Sequence, residues 1–83
     1  MATDRIRESD HMVVGLNQTT KALELAIASE VFLAKDADRR VHSKVLALAK
    51  QNNTPVTWVD TMKQLGVACG IEIGAATAAL IAR

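Results

Sequence analysis

Aromatic side chains are nearly missing from this chain, which has no tyrosine, one phenylalanine (Phe32) and one tryptophan (Trp58). Two rings cannot lay out the kind of sheet-surface platform on which several bases stack at once. A single cysteine, Cys69, excludes an intrachain disulfide, and His11 and His42 do not stand around it at metal-ligand spacing. No metal or cofactor is therefore expected, and a reduced, cytoplasmic setting suits the lone thiol. No apolar run approaches the ~20 residues of a membrane span. Residues 2–10 are polar and charged, unlike the apolar segment of a secretory signal. Neither sign of charge is in excess: ten basic against nine acidic residues leave +1. Nucleic acid held chiefly by net charge is thus excluded, and such a partner would need clustered cations and contacts to shape or base edges.

What is present suffices for one domain. A chain of 83 residues can bury one small core, and a hydrophobic content of 49% lies well above that of disordered segments. Thr3 can cap a short amphipathic helix over 3–9 with Ile6 facing inward. Met12-Val13-Val14 reads as a strand ended by Gly15. From Asn17 to about Ala28 the apolar residues Ala22, Leu23, Ala26 and Ile27 recur at helical spacing. Val31-Phe32-Leu33-Ala34 has the unbroken apolar character of a buried strand.

Asp38 can cap a helix over about 39–52 whose inward residues are Val41, Val45, Leu48 and Ala49. Asn52-Asn53-Thr54-Pro55 closes it, because asparagine tolerates the left-handed conformation and proline cannot continue a helix. Val56–Val59 is a third strand with Trp58 expected in the core, and Met12 and Met62 suit core gaps. Asp60 or Thr61 starts a short helix over 61–68. Ala75–Ile81 reads as a last strand, with a helix over 75–82 in competition because alanine prefers helix. Alternating helices and strands imply an α/β domain with a mostly parallel or mixed sheet covered on both faces.

Two segments carry chemistry. In Gly15-Leu16-Asn17-Gln18-Thr19-Thr20-Lys21 a glycine lets the chain turn from strand into helix. The helix mouth has free N–H groups that favour phosphate. Asn17 and Gln18 each carry a planar donor–acceptor group able to pair with a base edge, and Lys21 lies one turn beyond Asn17 on the same face. The plainer reading is that Asn17 only caps the helix while Gln18 and Lys21 are solvated.

In Leu65-Gly66-Val67-Ala68-Cys69-Gly70-Ile71-Glu72-Ile73-Gly74-Ala75, Gly70 suits a helix end. Ile71 and Ile73 flank Glu72, so in an extended chain both point to one side and could clamp an unstacked base. Equally, both isoleucines could enter the core. Lys35-Asp36 follows a strand end, a usual place for site residues in open α/β sheets, though such a pair is also commonly an exposed ion pair. Arg39, Arg40 and Lys44 either extend a basic rim or form the wet face of a helix. Cys69, with no neighbouring histidine, reads as a packed side chain rather than a nucleophile.

At these residues the chain resembles the L-seven-Ae/L-thirty-e superfamily of RNA-binding ribosomal proteins, and is most similar to its small bacterial YbxF-type members. The likeness rests on 15–21, on Ala-Lys-Asp-Ala-Asp at 34–38 and on 65–75, in the family's order and spacing, and spans about residues 10–82. The resemblance implies a three-layer α/β/α sandwich with a mixed four-stranded sheet, forming a single RNA-binding domain over 1–83. It implies recognition of kink-turn RNA, an internal loop with tandem sheared G·A pairs and a sharp bend, by a monomer without catalysis, with ribosome association a further expectation. Residues matching Asn17, Gln18 and Lys21 contact the guanines, with Gly15 and Leu16 at the same tip. Those matching Ile71, Glu72, Ile73, Gly74 and Ala75 pack on the extruded nucleotide, and Lys35 with Asp36 lies near the RNA backbone. Two departures stand out: Gln18 replaces a glutamate typical of archaeal members, removing charge assistance, and Gly74 replaces a common proline, expected to loosen the loop. A protein-interaction module docking on a ribosomal or transcription partner through the apolar loop is the alternative. An enzyme is disfavoured, since no acid–base pair, activated nucleophile or cofactor fingerprint occurs.

Overall fold

Strand–helix alternation produces the expected sandwich in the computed structural model, which describes residues 11–81. The elements are β1 (Met12–Val14), α1 (Leu16–Glu24), β2 (Ala28–Ala34), α2 (Arg39–Gln51), β3 (Val56–Val59), α3 (Met62–Ala68) and β4 (Thr77–Ile81). The helix expected over 3–9 lies outside the described residues. The sheet is mixed, in the order β1-β4-β2-β3. β4 runs antiparallel to both β1 and β2, and β3 is parallel to β2. Alternation along β2 sends Val31 and Leu33 to one face, where Ala22 and Leu23 of α1 and Val45 and Ala49 of α2 complete a core. Phe32 and Ala34 face the other way and pack with Leu65 and Ala68 of α3. No helix among the described residues is long and apolar enough to cross a membrane.

Each of the three described helices stops in the same way, with a left-handed residue just past its end and paired backbone bonds closing the last turn. After α1 the residue is Ala26 (φ 57°); the Ala26 N–H donates to Leu23 O and the Ile27 N–H to Ala22 O, both at 3.0 Å. After α2 it is Asn53 (φ 54°) and after α3 Gly70 (φ 80°), as their residue types suggest. The α1 stop corrects the helix expected to reach Ala28. Ala26 and Ile27 are not on its apolar face but exposed beyond it, and the chain turns early enough for Ala28 to pair with Ile81. β2 is accordingly longer than 31–34.

Trp58 also differs from expectation. β3 is an edge strand, and the indole stays 42% exposed instead of entering the core. Its ring meets His42 edge-on, with centroids 5.2 Å apart and planes at 86°. His42 is half-buried with Nε2 2.8 Å from Ala34 O, so that nitrogen carries the proton it donates.

Candidate functional site

The three segments singled out in the sequence meet at one end of the sheet. β1, β2 and β3 end there, and antiparallel β4 begins there. Gly15, at φ 99° where side chains are rarely accommodated, turns the chain from β1 into α1. Its N–H donates to Thr77 O at 2.9 Å, while the Ala34 N–H donates to Ala76 O at 2.9 Å. The amide-bearing tip, the Lys35 loop and the turn entering β4 are therefore neighbours tied by backbone hydrogen bonds.

Asn17 does not cap α1. The helix begins one residue earlier, with Gly15 at the cap and no side-chain cap bond; the first helical bond runs from the Thr19 N–H to Gly15 O at 3.0 Å. The N–H groups of Leu16, Asn17 and Gln18 thus stand outside the helical ladder. Asn17, Gln18 and Lys21 are exposed. Among the described residues neither carboxamide has a hydrogen-bond partner, so both keep full donor and acceptor capacity toward a ligand. Leu16 is half-buried against the core beneath. Thr20 turns inward, its Oγ1 donating to Leu16 O at 2.8 Å.

On the other side of the site the isoleucines part company. The chain is not extended through 71–73: the Ile71 N–H closes the α3 end on Gly66 O at 3.0 Å. Ile71 is thereby drawn onto the α3-side core, the usual apolar contact of this helix ending. Ile73 alone points outward, 77% exposed, flanked by exposed Glu72 and Gly74; Ala75 is buried. The expectation that both isoleucines share one outward side is corrected accordingly.

The turn lies directly on α3. A Cβ on Gly66 would sit 2.5 Å from the Ile73 carbonyl oxygen and 3.1 Å from Gly74 Cα, and one on Gly74 would sit 3.1 Å from Met62 Cβ. The Ala75 N–H donates to Met62 O at 3.0 Å. The Asp36 carboxylate accepts from the Met62 N–H at 2.7 Å, placing negative charge at the start of α3. Thr61 caps the same end by accepting from the Gln64 N–H at 3.0 Å. Asp36 is thus a brace for α3. Lys35 pairs instead with Asp60, 3.1 Å away and well exposed on both sides, a bridge weak enough to yield to a phosphate. Cys69, half-buried beside the turn, has its thiol pushed up to about 11 by desolvation, which suits packing and not nucleophilic chemistry.

The model of the ribosomal protein L7Ae/L30e/S12e/Gadd45 family matches residues 2–82. The chain belongs to that family. An RNA-binding protein of Halalkalibacterium halodurans is 48% identical to it over 80 residues, 96% of this chain and 98% of the relative. The RNA-binding protein YbxF of Geobacillus stearothermophilus is 43% identical over 81 residues, 98% and 99% of the two chains. A 15.5 kD RNA-binding protein of Giardia lamblia shares the fold, with a TM-score of 0.85 at 18% identity over 98% of this chain and 68% of that one.

In this L7Ae-family chain two positions that shape the site escape sequence reasoning. Gly66 reads as a mid-helix glycine, and only the folded turn shows what it makes room for. Asp36 reads as half of an ion pair with Lys35, although its carboxylate serves a helix 26 positions away. No local pattern announces either contact.

Proposed function

We propose that this protein binds kink-turn RNA and stabilises its bent form. The observation that carries the reading is the pairing of two chemistries on one accessible surface. The Asn17 and Gln18 carboxamides, without partners among the described residues, follow Gly15, whose N–H donates to Thr77 O, and an outward Ile73 lies in the turn that leads to Thr77. The names of the relatives, RNA-binding proteins over nearly the whole chain, support RNA as the partner. Asn17, Gln18 and Lys21 read the edges of the sheared G·A pairs, which the bend opens to side chains; an ordinary A-form groove is too narrow for them. Ile73 covers the extruded nucleotide, with Glu72 and Gly74 at its flanks. Leu16, Ile71 and Ala75 support the two tips from beneath, and Lys35 exchanges Asp60 for the RNA backbone. Because these contacts exist only with bent RNA, binding shifts the RNA population by the difference in affinity for the two forms.

Asn17→Ala tests the base-reading role. The side chain is exposed and caps nothing, so the melting midpoint should not move, while affinity for a kink-turn RNA should fall by ~1–3 kcal/mol, the discrimination of one good paired contact. Replacing the G·A pairs by Watson–Crick pairs should abolish specific binding by the wild type. If both RNAs bind alike in calorimetry, or Asn17→Ala titrates like wild type in a gel shift, the reading is wrong. An apolar loop serving a protein partner would produce that second result.

A further inference from the structure

The first turns of α2 gather positive charge that no ion pair among the described residues answers. Arg39, Arg40 and Lys44 are exposed and, with Asp38 and Ser43, line a shallow open hollow of about 650 Å³. Arg39 and Ser43, like Arg40 and Lys44, are one turn apart, so these side chains leave the same side of the helix. Among the described residues none of the three cations has an ion-pair partner, and the first turn of α2 contains no acid. Asp38, the one carboxylate at the hollow, faces the backbone and accepts from the Arg40 N–H at 2.8 Å.

Helix physics disfavours this arrangement. Cations at a helix start oppose its dipole, and Arg40 and Lys44 repel each other across one turn. Among the described residues only the Asp38 cap offsets these three cations, and a local rule left largely uncompensated points to compensation by a partner, here a polyanion. The stripe also lies at the site's end of the sheet. Asp38 ends the loop that begins at Lys35, and His42 of the same helix bonds the last carbonyl of β2. Only β4 separates β1 from β2, so Gly15 and Lys35 are about two strand spacings, ~10 Å, apart. One RNA gripped at Asn17 and Ile73 and crossing that distance reaches the Lys35 loop, which leads through Asp38 straight into α2.

We propose that Arg39, Arg40 and Lys44 form a second RNA-contact surface, which holds the backbone phosphates of one helical arm leaving the bend. The inference rests on the kink-turn reading above and adds to it the path of the RNA.

The test combines Arg39→Gln, Arg40→Gln and Lys44→Gln in the full chain. Circular dichroism should show the variant folded, with a midpoint equal to or above wild type because the repulsion is relieved. Affinity is measured by fluorescence anisotropy between about 50 and about 200 mM salt. The RNAs are a full-armed kink-turn and two versions, each with one arm trimmed back to the bend. Each neutralised phosphate contributes about 0.9 to the salt slope of a duplex, so losing two contacts should lower the slope by about 2. That is about a 16-fold change in the wild-type to variant affinity ratio across the fourfold salt range. The difference should vanish when one particular arm is trimmed and persist when the other is. Equal slopes on the full-armed RNA, or a difference that survives both trims, overturn the proposal. The kink-turn reading itself fails on a separate observable: wild-type discrimination between the kink-turn and its Watson–Crick counterpart.

Discussion

Alanine in place of a glycine inside a helix ordinarily stabilises by about 0.5–1 kcal/mol. At Gly66, within α3, the sign should reverse. The new Cβ would stand 2.5 Å from the carbonyl oxygen of Ile73, and ordinary contact begins at 3.4 Å. The turn must therefore retreat by about 0.9 Å, or the helix must shift by as much. No side-chain rotation relieves the overlap, because the atoms met are backbone of Ile73, Gly74 and Ala75. The same turn is anchored by the Ala75 N–H on Met62 O and the Ile71 N–H on Gly66 O, so retreat also stretches two hydrogen bonds. Overpacking of this kind costs about 1–3 kcal/mol, and a weakened buried hydrogen bond adds up to about 1 kcal/mol.

Set against the helical gain, the net expectation for Gly66→Ala is destabilisation by about 1–3 kcal/mol, a fall in melting temperature on the order of 10 °C for a domain of this size. Urea titration followed by far-UV circular dichroism measures it. Val67→Ala, at an exposed position on the same helix, is the control and should stay within about 0.5 kcal/mol of wild type. A midpoint for Gly66→Ala at or above wild type would refute the reasoning, since it would mean the turn does not rest on the helix and Ile73 is not held in place by it.

Ala26→Gly runs the opposite way: alanine at φ 57° is strained, so glycine at this helix end should raise stability by about 0.5–1 kcal/mol in the same titration, and a loss would mean the left-handed turn does not form. Thr19 is fully buried on α1, its hydroxyl without a partner among the described residues; Thr19→Val should gain about 1 kcal/mol, whereas a loss would reveal a partner for that oxygen. Burial raises the Cys69 thiol from 9.0 to about 11, so at pH 8 the native protein should react with iodoacetamide about a hundredfold more slowly than an unfolded control. The folded state binds that proton more tightly, so stability should also decline as pH rises from about 9 toward 11. Equal alkylation rates would show the thiol to be open.

Elements with a local cause were legible before folding. The Asp38 cap, the left-handed Asn53 and Gly70, and the inward Val45 and Ala49 follow from side-chain chemistry within one or two turns. The α1 stop was not, because its left-handed residue is an alanine, the residue that most favours helix; what overrides it is the pairing of Ala28 and Glu30 with β4. Trp58 reads as core because aromatic strands usually are, and only the order β1-β4-β2-β3 reveals it at an edge. In the candidate site the residue types at 15–21 and 71–75 were readable. The outward aim of Ile73 and the inward pull on Ile71 were not, since both depend on how the α3 ending folds back.

The alanine-rich segment that became β4 shows why composition alone leaves strand and helix in balance there. Ala78 and Ala79 are fully buried on opposite faces, in a strand hydrogen-bonded along both edges. Large partners lie directly across from them: Phe32 opposite Ala78 and Val31 opposite Ala79. Bulk on β2 therefore fills the layers that small side chains on β4 leave open, at the density a core demands. A helix over the same residues would strand the edges of β1 and β2 without partners, at the cost of a row of buried unpaired amides. Thr77 opens the strand by donating its hydroxyl to Phe32 O at 2.7 Å and by taking the Gly15 N–H on its own carbonyl. That second bond ties the turn before α1 to the start of β4, so the choice of strand over helix is also what brings the candidate segments to one end of the sheet.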